Sequence, residues 1–126
     1  MKKCFLTQKG PKAIGPYSTA VISGDTCYMS GMLPVVPAEG KLKEGSPADQ
    51  AQQVFENMKT VLEEMGLSMN DVLKTTVFLS DLGNFAAINE VYGKYFGPDY
   101  PARSCFQVSA LPMGSTIEVE AIVAVK

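Results

Sequence analysis

The side chains best suited to chemistry in this sequence lie in one segment, residues 100–121. This segment reads as two strands joined by a tight connection at residues 111–114, Leu-Pro-Met-Gly. Arg103 lies at the mouth of the first strand and Glu118 lies inside the second. Because the chain contains no histidine, an Arg/Glu pair is among the few ways left to build a polar reaction site.

The absence of histidine excludes several common kinds of active site. A Ser-His-Asp triad, a Cys-His pair and an imidazole metal site all require it. Acid–base chemistry would fall to Glu, Asp, Lys, Tyr, Cys or bound water. The three cysteines, Cys4, Cys27 and Cys105, are far apart and form no CxxC pair. The sequence therefore indicates neither a disulfide framework nor a zinc site.

Length and composition predict a single folded domain, residues 1–126. Hydrophobic residues make up 46% of the chain and charged residues 19%, which is typical of a globular protein and not of a disordered one. A net charge of −2 and a pI of about 5.1 do not predict the basic surface that binding to nucleic acid or to an anionic membrane needs. No segment approaches the roughly 18 apolar residues of a spanning helix, and the apolar run near the N-terminus is too short for a signal peptide. We therefore expect a cytoplasmic protein with no nucleic-acid or membrane partner.

Hydrophobic periodicity predicts two helices. The first helix is predicted to begin after Ser46, its N-cap, with Pro47 in its first turn. Asp49 lies where a capping box needs an acidic residue, and Gly66 is predicted to end the helix. The second covers about residues 84–96, where apolar side chains recur at helical spacing.

Strand patterns precede, separate and follow the helices. We predict strands at about residues 3–6, 17–23, 26–30 and 71–79, and two more within 100–126. Residues 31–46 are rich in Pro and Gly and predict a loop with room for a short strand. This order predicts an α+β fold, in which both helices pack on one face of a mixed β-sheet.

The second face of that sheet is neither fully apolar nor fully polar. Alternation places Glu118 and Glu120 on the face of the last strand that points away from the helices. We expect this face to include Phe78, Cys105, Ile122 and Ala124, which are costly to leave together in water. A solvated face with incidental hydrophobic residues is one interpretation. We favour an oligomer interface with polar pockets at its margins.

Five segments, in order along nearly the whole chain, resemble the motifs of the reactive intermediate deaminase family, also called the RidA or YjgF-type family. They are AIGPYS at 13–18, SG-x-x-P at 30–34, TTVFLSDLGNFAAINEVYGKYF at 75–96, PARSC at 101–105, and LP-x-G followed by IEVE at 111–120. One such motif would be a weak signal, but five in order are a strong one.

The resemblance implies a chorismate mutase-like homotrimer with active sites in clefts between subunits. It implies a 2-iminobutanoate/2-iminopropanoate deaminase, which hydrolyses enamine and imine intermediates to 2-oxo acids and ammonia without a metal or organic cofactor. The substrate would be 2-aminoacrylate or its imine tautomer, a product of pyridoxal-phosphate enzymes such as threonine/serine dehydratase.

The resemblance also implies residue roles. Arg103 would hold the substrate carboxylate, while Glu118 and the backbone carbonyl of Cys105 would hold the attacking water. The cleft would be lined by Tyr17, Ser30, Gly31 and Asn89. Met32 differs from the family pattern, which often has glutamine at this position. The difference affects which substrate side chain the mouth of the pocket would prefer.

This chemistry suits the residues present. A guanidinium binds a carboxylate through two parallel hydrogen bonds, which fix position and orientation together. A carboxylate is a weak base at neutral pH, but a protonated imine is electrophilic enough for an oriented and partly deprotonated water to attack it.

Each residue also has a plainer interpretation. An arginine at a strand start is usually a surface ion-pair former, and a thiol with no activating partner is usually inert packing. Tyr17 could pack in a turn, Ser30 could be a strand-end hydroxyl, and Asn89 could face solvent. Two other functions stay open: a binding module for small 2-oxo or amino acids, which needs only the Arg103 clamp, and the ribonuclease or chaperone activity attributed to some family members.

Overall fold

The computed structural model describes residues 1–125, which form a six-stranded mixed sheet, a two-stranded hairpin and two helices. The elements are β1 (Lys2–Phe5), β2 (Ala20–Ser23), β3 (Thr26–Met32), β4 (Val35–Val36), β5 (Lys41–Leu42), α1 (Pro47–Glu64), β6 (Val72–Leu79), α2 (Phe85–Phe96), β7 (Ala102–Gln107) and β8 (Ile117–Ala124).

The six-stranded sheet has the order β1-β2-β3-β8-β6-β7, and β4 pairs with β5 outside it. Neighbouring strands are antiparallel except for β6 and β7, which run parallel. One face of β8 is buried, at Ile117, Val119, Ala121 and Val123, and it shares a single core with both helices. The predicted α+β class, with two helices on one face of a mixed sheet, is therefore confirmed.

The first helix begins and ends where its sequence predicts. The Ser46 N–H donates to Asp49 Oδ2 at 3.0 Å and the Asp49 N–H donates to Ser46 Oγ at 3.2 Å, so the capping box is complete. Beyond its last residue, Gly66 adopts a φ of +75°, a conformation that disfavours L-residues with a Cβ. Apolar side chains such as Phe55 and Met58 are wholly buried, and each contributes about 1.5–3 kcal/mol through its burial.

Several strand boundaries differ from the predictions. Strand β2 begins at Ala20, so residues 17–19 are irregular, and β3 continues to Met32 through a register shift between residues 29 and 32. Residues 31–46 contain the β4–β5 hairpin. The tight connection predicted at residues 111–114 is wrong: β6 lies between β7 and β8, so the chain crosses over β6 through residues 108–116.

The predicted position of Cys105 on the open face of the sheet is also wrong. Strand β7 lies parallel to β6 with Cys105 beside Val77, which is buried against the helices. Side chains that lie side by side on neighbouring strands share a face, so Cys105 packs against the core. Phe106 lies beside Phe78 and is 52% exposed on the opposite face. The open face therefore carries Phe106 where we expected Cys105.

Asn57 is a buried polar residue of α1 that holds an irregular segment in place. Its Nδ2 donates to the carbonyls of Leu33 and Val35 at 3.1 and 2.8 Å, and its Oδ1 accepts from Gln53 Nε2 at 2.9 Å. Within residues 1–125 no buried side-chain nitrogen or oxygen lacks a hydrogen-bond partner. The side chain of Asn57 therefore fixes the chain that follows β3.

We predict that Asn57→Ala lowers the free energy of unfolding by about 1–3 kcal/mol, because two partly buried carbonyls, those of Leu33 and Val35, lose their donors. Chemical denaturation of both proteins measures this difference. Gln53→Ala is the matched control: it removes one bond to Asn57 but leaves both carbonyls paired, so its cost should be about 0.5–1.5 kcal/mol. Equal stabilities of the two variants would contradict the assignment.

Candidate active site

One group of the proposed site residues surrounds a cavity of about 410 Å³. Tyr17, Ser30 and Gly31 line it. Glu118 adjoins this group, since a Cβ on Gly31 would collide with the Glu118 carboxylate. Only glycine therefore lets the carboxylate lie against the backbone of β3 at this point.

The irregular segment at residues 17–19 is fixed to β3 through Ser30. The Ser30 hydroxyl donates to the Ser18 carbonyl at 2.7 Å, and the Ser30 N–H donates to the Thr19 carbonyl at 3.0 Å. These two bonds hold the backbone that carries Tyr17, whose ring is 48% exposed at the cavity. The Ser30 hydroxyl is thus engaged with backbone in this structure.

Much of the remaining cavity wall is apolar. It includes Ile14, Met32, Leu33, Val35, Pro37 and Met113. Met113 has a φ of +61°, which is uncommon for a residue with a side chain, and it is half exposed over the cavity. The sequence did not single out Ile14 or Met113, although the AIGPYS motif contains the first and the LP-x-G motif contains the second.

Glu118 has a raised pKa. Burial is the main cause, because it disfavours the charged form, and the negative charge of Glu120 raises the pKa further. A higher pKa makes this carboxylate a stronger base than an ordinary surface glutamate. The environment of Glu118 therefore suits a group that takes a proton from water.

The second group lies on the helix side of the sheet. The Arg103 Nη1 donates to Asn89 Oδ1 at 2.7 Å, which joins β7 to α2. Cys105, two residues further along β7, is partly buried against the core, and burial raises the pKa of its thiol although the charge of Arg103 lowers it in part. A thiol with a raised pKa is protonated at neutral pH and is a poor nucleophile.

The sheet separates the two groups within one chain. Arg103 lies beside Thr75, which is fully buried under the helices, while Glu118 lies beside Phe78 on the open face. Gly31 adjoins Glu118 and lines the same cavity as Tyr17 and Ser30. Asn89 and Cys105 lie on the side of Arg103. One chain therefore carries two incomplete halves of the arrangement that the sequence indicates.

Residues 1–125 lack two features that would point to other kinds of function. Within residues 1–125, no three or more Cys, Asp or Glu side chains are grouped in a way that could hold a metal ion. None of the helices in that range is long and apolar enough to cross a membrane.

We predict that Glu118→Gln raises the melting temperature at pH 7. A carboxyl group whose pKa is raised by folding contributes stability that is fully present below its unfolded-state pKa and is lost as the pH rises through its folded-state pKa. The gain of the variant should disappear below about pH 4, where the carboxyl group is protonated in both states. Thermal scans at both pH values test this, with Glu90→Gln on the exposed side of α2 as the control. A lower melting temperature at pH 7 would contradict it.

Comparisons with known proteins cover nearly the whole chain. The family model described as Endoribonuclease L-PSP matches residues 7–125. A RutC family protein of Pyrococcus horikoshii is 47% identical over 97% of both chains. The human 2-iminobutanoate/2-iminopropanoate deaminase is 43% identical over 97% of this chain and 89% of its own length. The crystal structure of Escherichia coli TdcF with bound serine superimposes with a TM-score of 0.92 and 42% identity, covering 98% of this chain and 99% of that one.

Proposed function

Because this chain belongs to the Endoribonuclease L-PSP family, also called the YjgF/RidA family, we propose that it acts as a 2-iminobutanoate/2-iminopropanoate deaminase. The family resemblance of its motifs is thereby confirmed, and several relatives carry the name of this deaminase. The reaction converts an imino acid and water into a 2-oxo acid and ammonia, with no metal or organic cofactor. The presence of free thiols only, at Cys4, Cys27 and Cys105, supports a reducing, cytoplasmic location.

The observation that carries this proposal is the separation of Arg103 from Glu118 by the sheet. A site that needs both groups requires Arg103 from one subunit and Glu118 from the next. Such a head-to-tail contact closes into a ring when the rotation between subunits is suitable. We propose a chorismate mutase-like homotrimer with three shared clefts.

The open face of the sheet supports this assembly. It carries Phe106 and Tyr28, each about half exposed (52% and 51%), together with the partly buried Phe78 and Ile122. The strand register makes two pairs of these side chains, Phe106 with Phe78 and Tyr28 with Ile122, and places Thr76 and Glu120 between the pairs. Large apolar side chains left exposed at both ends of one sheet face favour an interface with a polar middle. Packing three copies through this face would remove these side chains from water and bring Glu118 to a subunit boundary.

The proposed chemistry uses the two halves in turn. The substrate carboxylate binds Arg103 through two hydrogen bonds, which places the imine carbon in the cavity next to the partner subunit's Glu118. A water held by Glu118 and the Cys105 carbonyl adds to the carbon of the protonated C=N bond, and Glu118 takes its proton. Glu118 then returns this proton to the nitrogen of the tetrahedral carbinolamine. The C–N bond breaks to release ammonia, the C–O bond becomes a carbonyl, and Glu118 accepts the proton that the hydroxyl loses. Tyr17, Gly31 and Asn89 line the cleft in this proposal.

A binding module is the second candidate. TdcF has been crystallised with serine, and a carboxylate clamp serves for binding as well as for turnover. The deciding assay follows the loss of 2-iminopropanoate, generated in situ, with and without this protein. Many turnovers per subunit would establish an enzyme, whereas removal of one equivalent would establish binding alone.

The family description also names an endoribonuclease. The net charge of −2 and the lack of histidine make this the weaker candidate, since nucleic-acid binding usually needs a basic surface. Ribonuclease activity that does not co-elute with the protein would be contamination.

We predict that Arg103→Ala lowers kcat/KM about ten- to a hundredfold, because charge-assisted hydrogen bonds of roughly 1.5–3 kcal/mol are lost. Arg103→Lys should recover little of this, since one ammonium does not reproduce the two-pronged geometry. Steady-state kinetics with 2-iminopropanoate test both variants. Near-full activity of Arg103→Lys would mean that charge alone matters.

We predict that two inactive variants restore activity to each other in mixed trimers. Arg103→Ala and Glu118→Gln chains, co-expressed in equal amounts with different tags, should give about a quarter of the wild-type activity, because a quarter of the shared clefts contain both native residues. Light scattering should give a mass near three times 13.5 kDa for each protein. No recovery in confirmed mixed trimers, or a stable monomer at micromolar concentration, would overturn the shared cleft.

A further inference from the structure

The guanidinium of Arg103 lies in a pocket made by α2. Its central carbon is 4.7 Å from the centre of the Tyr92 ring and 5.4 Å from the centre of the Phe85 ring. Its Nη1 also donates to Asn89 Oδ1 at 2.7 Å. Residues 85, 89 and 92 recur at i, i+4 and i+7, so they form one stripe of the helix. Two aromatic rings and one amide thus hold the same cation.

The Tyr92 ring is itself rigidly held. It is 4% exposed, and its hydroxyl shares a hydrogen bond of 2.7 Å with Oγ1 of Thr75, which is fully buried. Phe55 packs edge-on against the ring at 5.6 Å, and Phe96 lies at 4.5 Å. Thr75 lies beside Arg103 in the parallel register of β6 and β7, so the same strand pair fixes both the arginine and the ring beneath it.

We propose that Tyr92 is a positioning residue for Arg103, which sets the plane of the guanidinium and leaves its remaining N–H groups free for a carboxylate ligand. The inference rests on the proposed function. An arginine on an exposed edge strand samples many rotamers, and two-pronged binding needs only one of them. Stacking on a fixed ring face and one bond to Asn89 restrict the side chain before the ligand arrives, which reduces the ordering cost of binding.

The charge balance around Arg103 agrees with this role. In the part of the chain that the structure describes, the guanidinium is bonded to a neutral amide and stacked on neutral rings, and no carboxylate pairs with it. The full positive charge is therefore held in place without being neutralised. Burial also raises the pKa of the Tyr92 hydroxyl, despite the opposing effects of Thr75 and Arg103, so that ring stays neutral and cannot replace the ligand as a counter-ion.

The test compares two aromatic residues of the same cluster. Tyr92→Leu removes the ring under Arg103. Phe96→Leu removes a neighbouring buried ring that makes no cation–π contact with Arg103, and it leaves Tyr92 held by its hydrogen bond to Thr75 and its contact with Phe55. We expect Tyr92→Leu to raise KM for 2-iminopropanoate, and Kd for pyruvate by calorimetry, about tenfold with kcat changed little. Phe96→Leu should lower stability in a similar way while leaving KM within about twofold of the wild type.

Two further variants separate the effect of stacking on Arg103 from the effect of packing in the core. The double variant Tyr92→Phe/Thr75→Val keeps the ring and removes both partners of the buried hydroxyl pair, so it should bind pyruvate almost as the wild type does. In an Arg103→Ala background, Tyr92→Leu should cause no further loss of pyruvate affinity, because the two residues act through one contact. Equal rises in KM for Tyr92→Leu and Phe96→Leu, or additive losses in the double-mutant cycle, would overturn the positioning role.

The controls also distinguish this inference from the proposed function. Wild-type pyruvate binding by Arg103→Ala would contradict the carboxylate clamp itself. Weak binding by Arg103→Ala with wild-type binding by Tyr92→Leu would contradict only the role of Tyr92. Should Tyr92→Leu fail to fold, Phe85→Leu at the half-buried start of α2 carries the test: KM should rise about threefold, and an unchanged KM would overturn the inference.

Discussion

The register of the three neighbouring strands β8, β6 and β7 is the constraint on which the rest of the structure depends. Side chains alternate between the faces of a sheet. On β6, Thr75 faces the helices and lies beside Arg103 of β7. Phe78 faces the opposite side of the sheet and lies beside Glu118 of β8. A shift of one residue in either pairing would move one of these charged groups to the wrong side. The same alternation makes a single chain insufficient for a site that needs both groups.

The helices act on this sheet through polar as well as apolar side chains. Gln50, buried on α1, accepts from the Thr116 N–H and hydroxyl at 3.0 and 2.6 Å and donates to the Lys43 carbonyl at 3.0 Å. Asn57, two turns further along α1, holds the carbonyls of Leu33 and Val35. These amides satisfy backbone groups that no strand partner reaches. Irregular chain around the cavity is thereby kept in one conformation without being part of the sheet.

Features set by local interactions could be predicted from the sequence. The capping box of Ser46 and Asp49, and the glycine after α1, depend on residues three or four apart, so their pattern is visible in the chain itself. The faces of Cys105 and Phe106 depend on which strand lies beside β7 and in what register, which no local pattern fixes. For the same reason, the local pattern at residues 111–114 predicts a tight turn where the chain makes a crossover at residues 108–116. The contact between Tyr92 and Arg103 also requires α2 to pack over β7, although the spacing of Phe85, Asn89 and Tyr92 was a signal that a search for helical stripes would have found.

The electrostatics of the open face link the proposed assembly to the proposed chemistry. Glu118 already has a raised pKa in a single chain, through burial and the charge of Glu120. In the proposed trimer a second subunit covers this face, which removes more water from Glu118 and raises its pKa further. The partner's Arg103 acts in the opposite direction, but its charge is neutralised once the substrate carboxylate is bound. In the proposed trimer, Glu118 is therefore the strongest base when the cleft is both closed by a neighbouring subunit and filled by substrate. A proton acceptor of suitable strength would then be present only where an imine is held for attack.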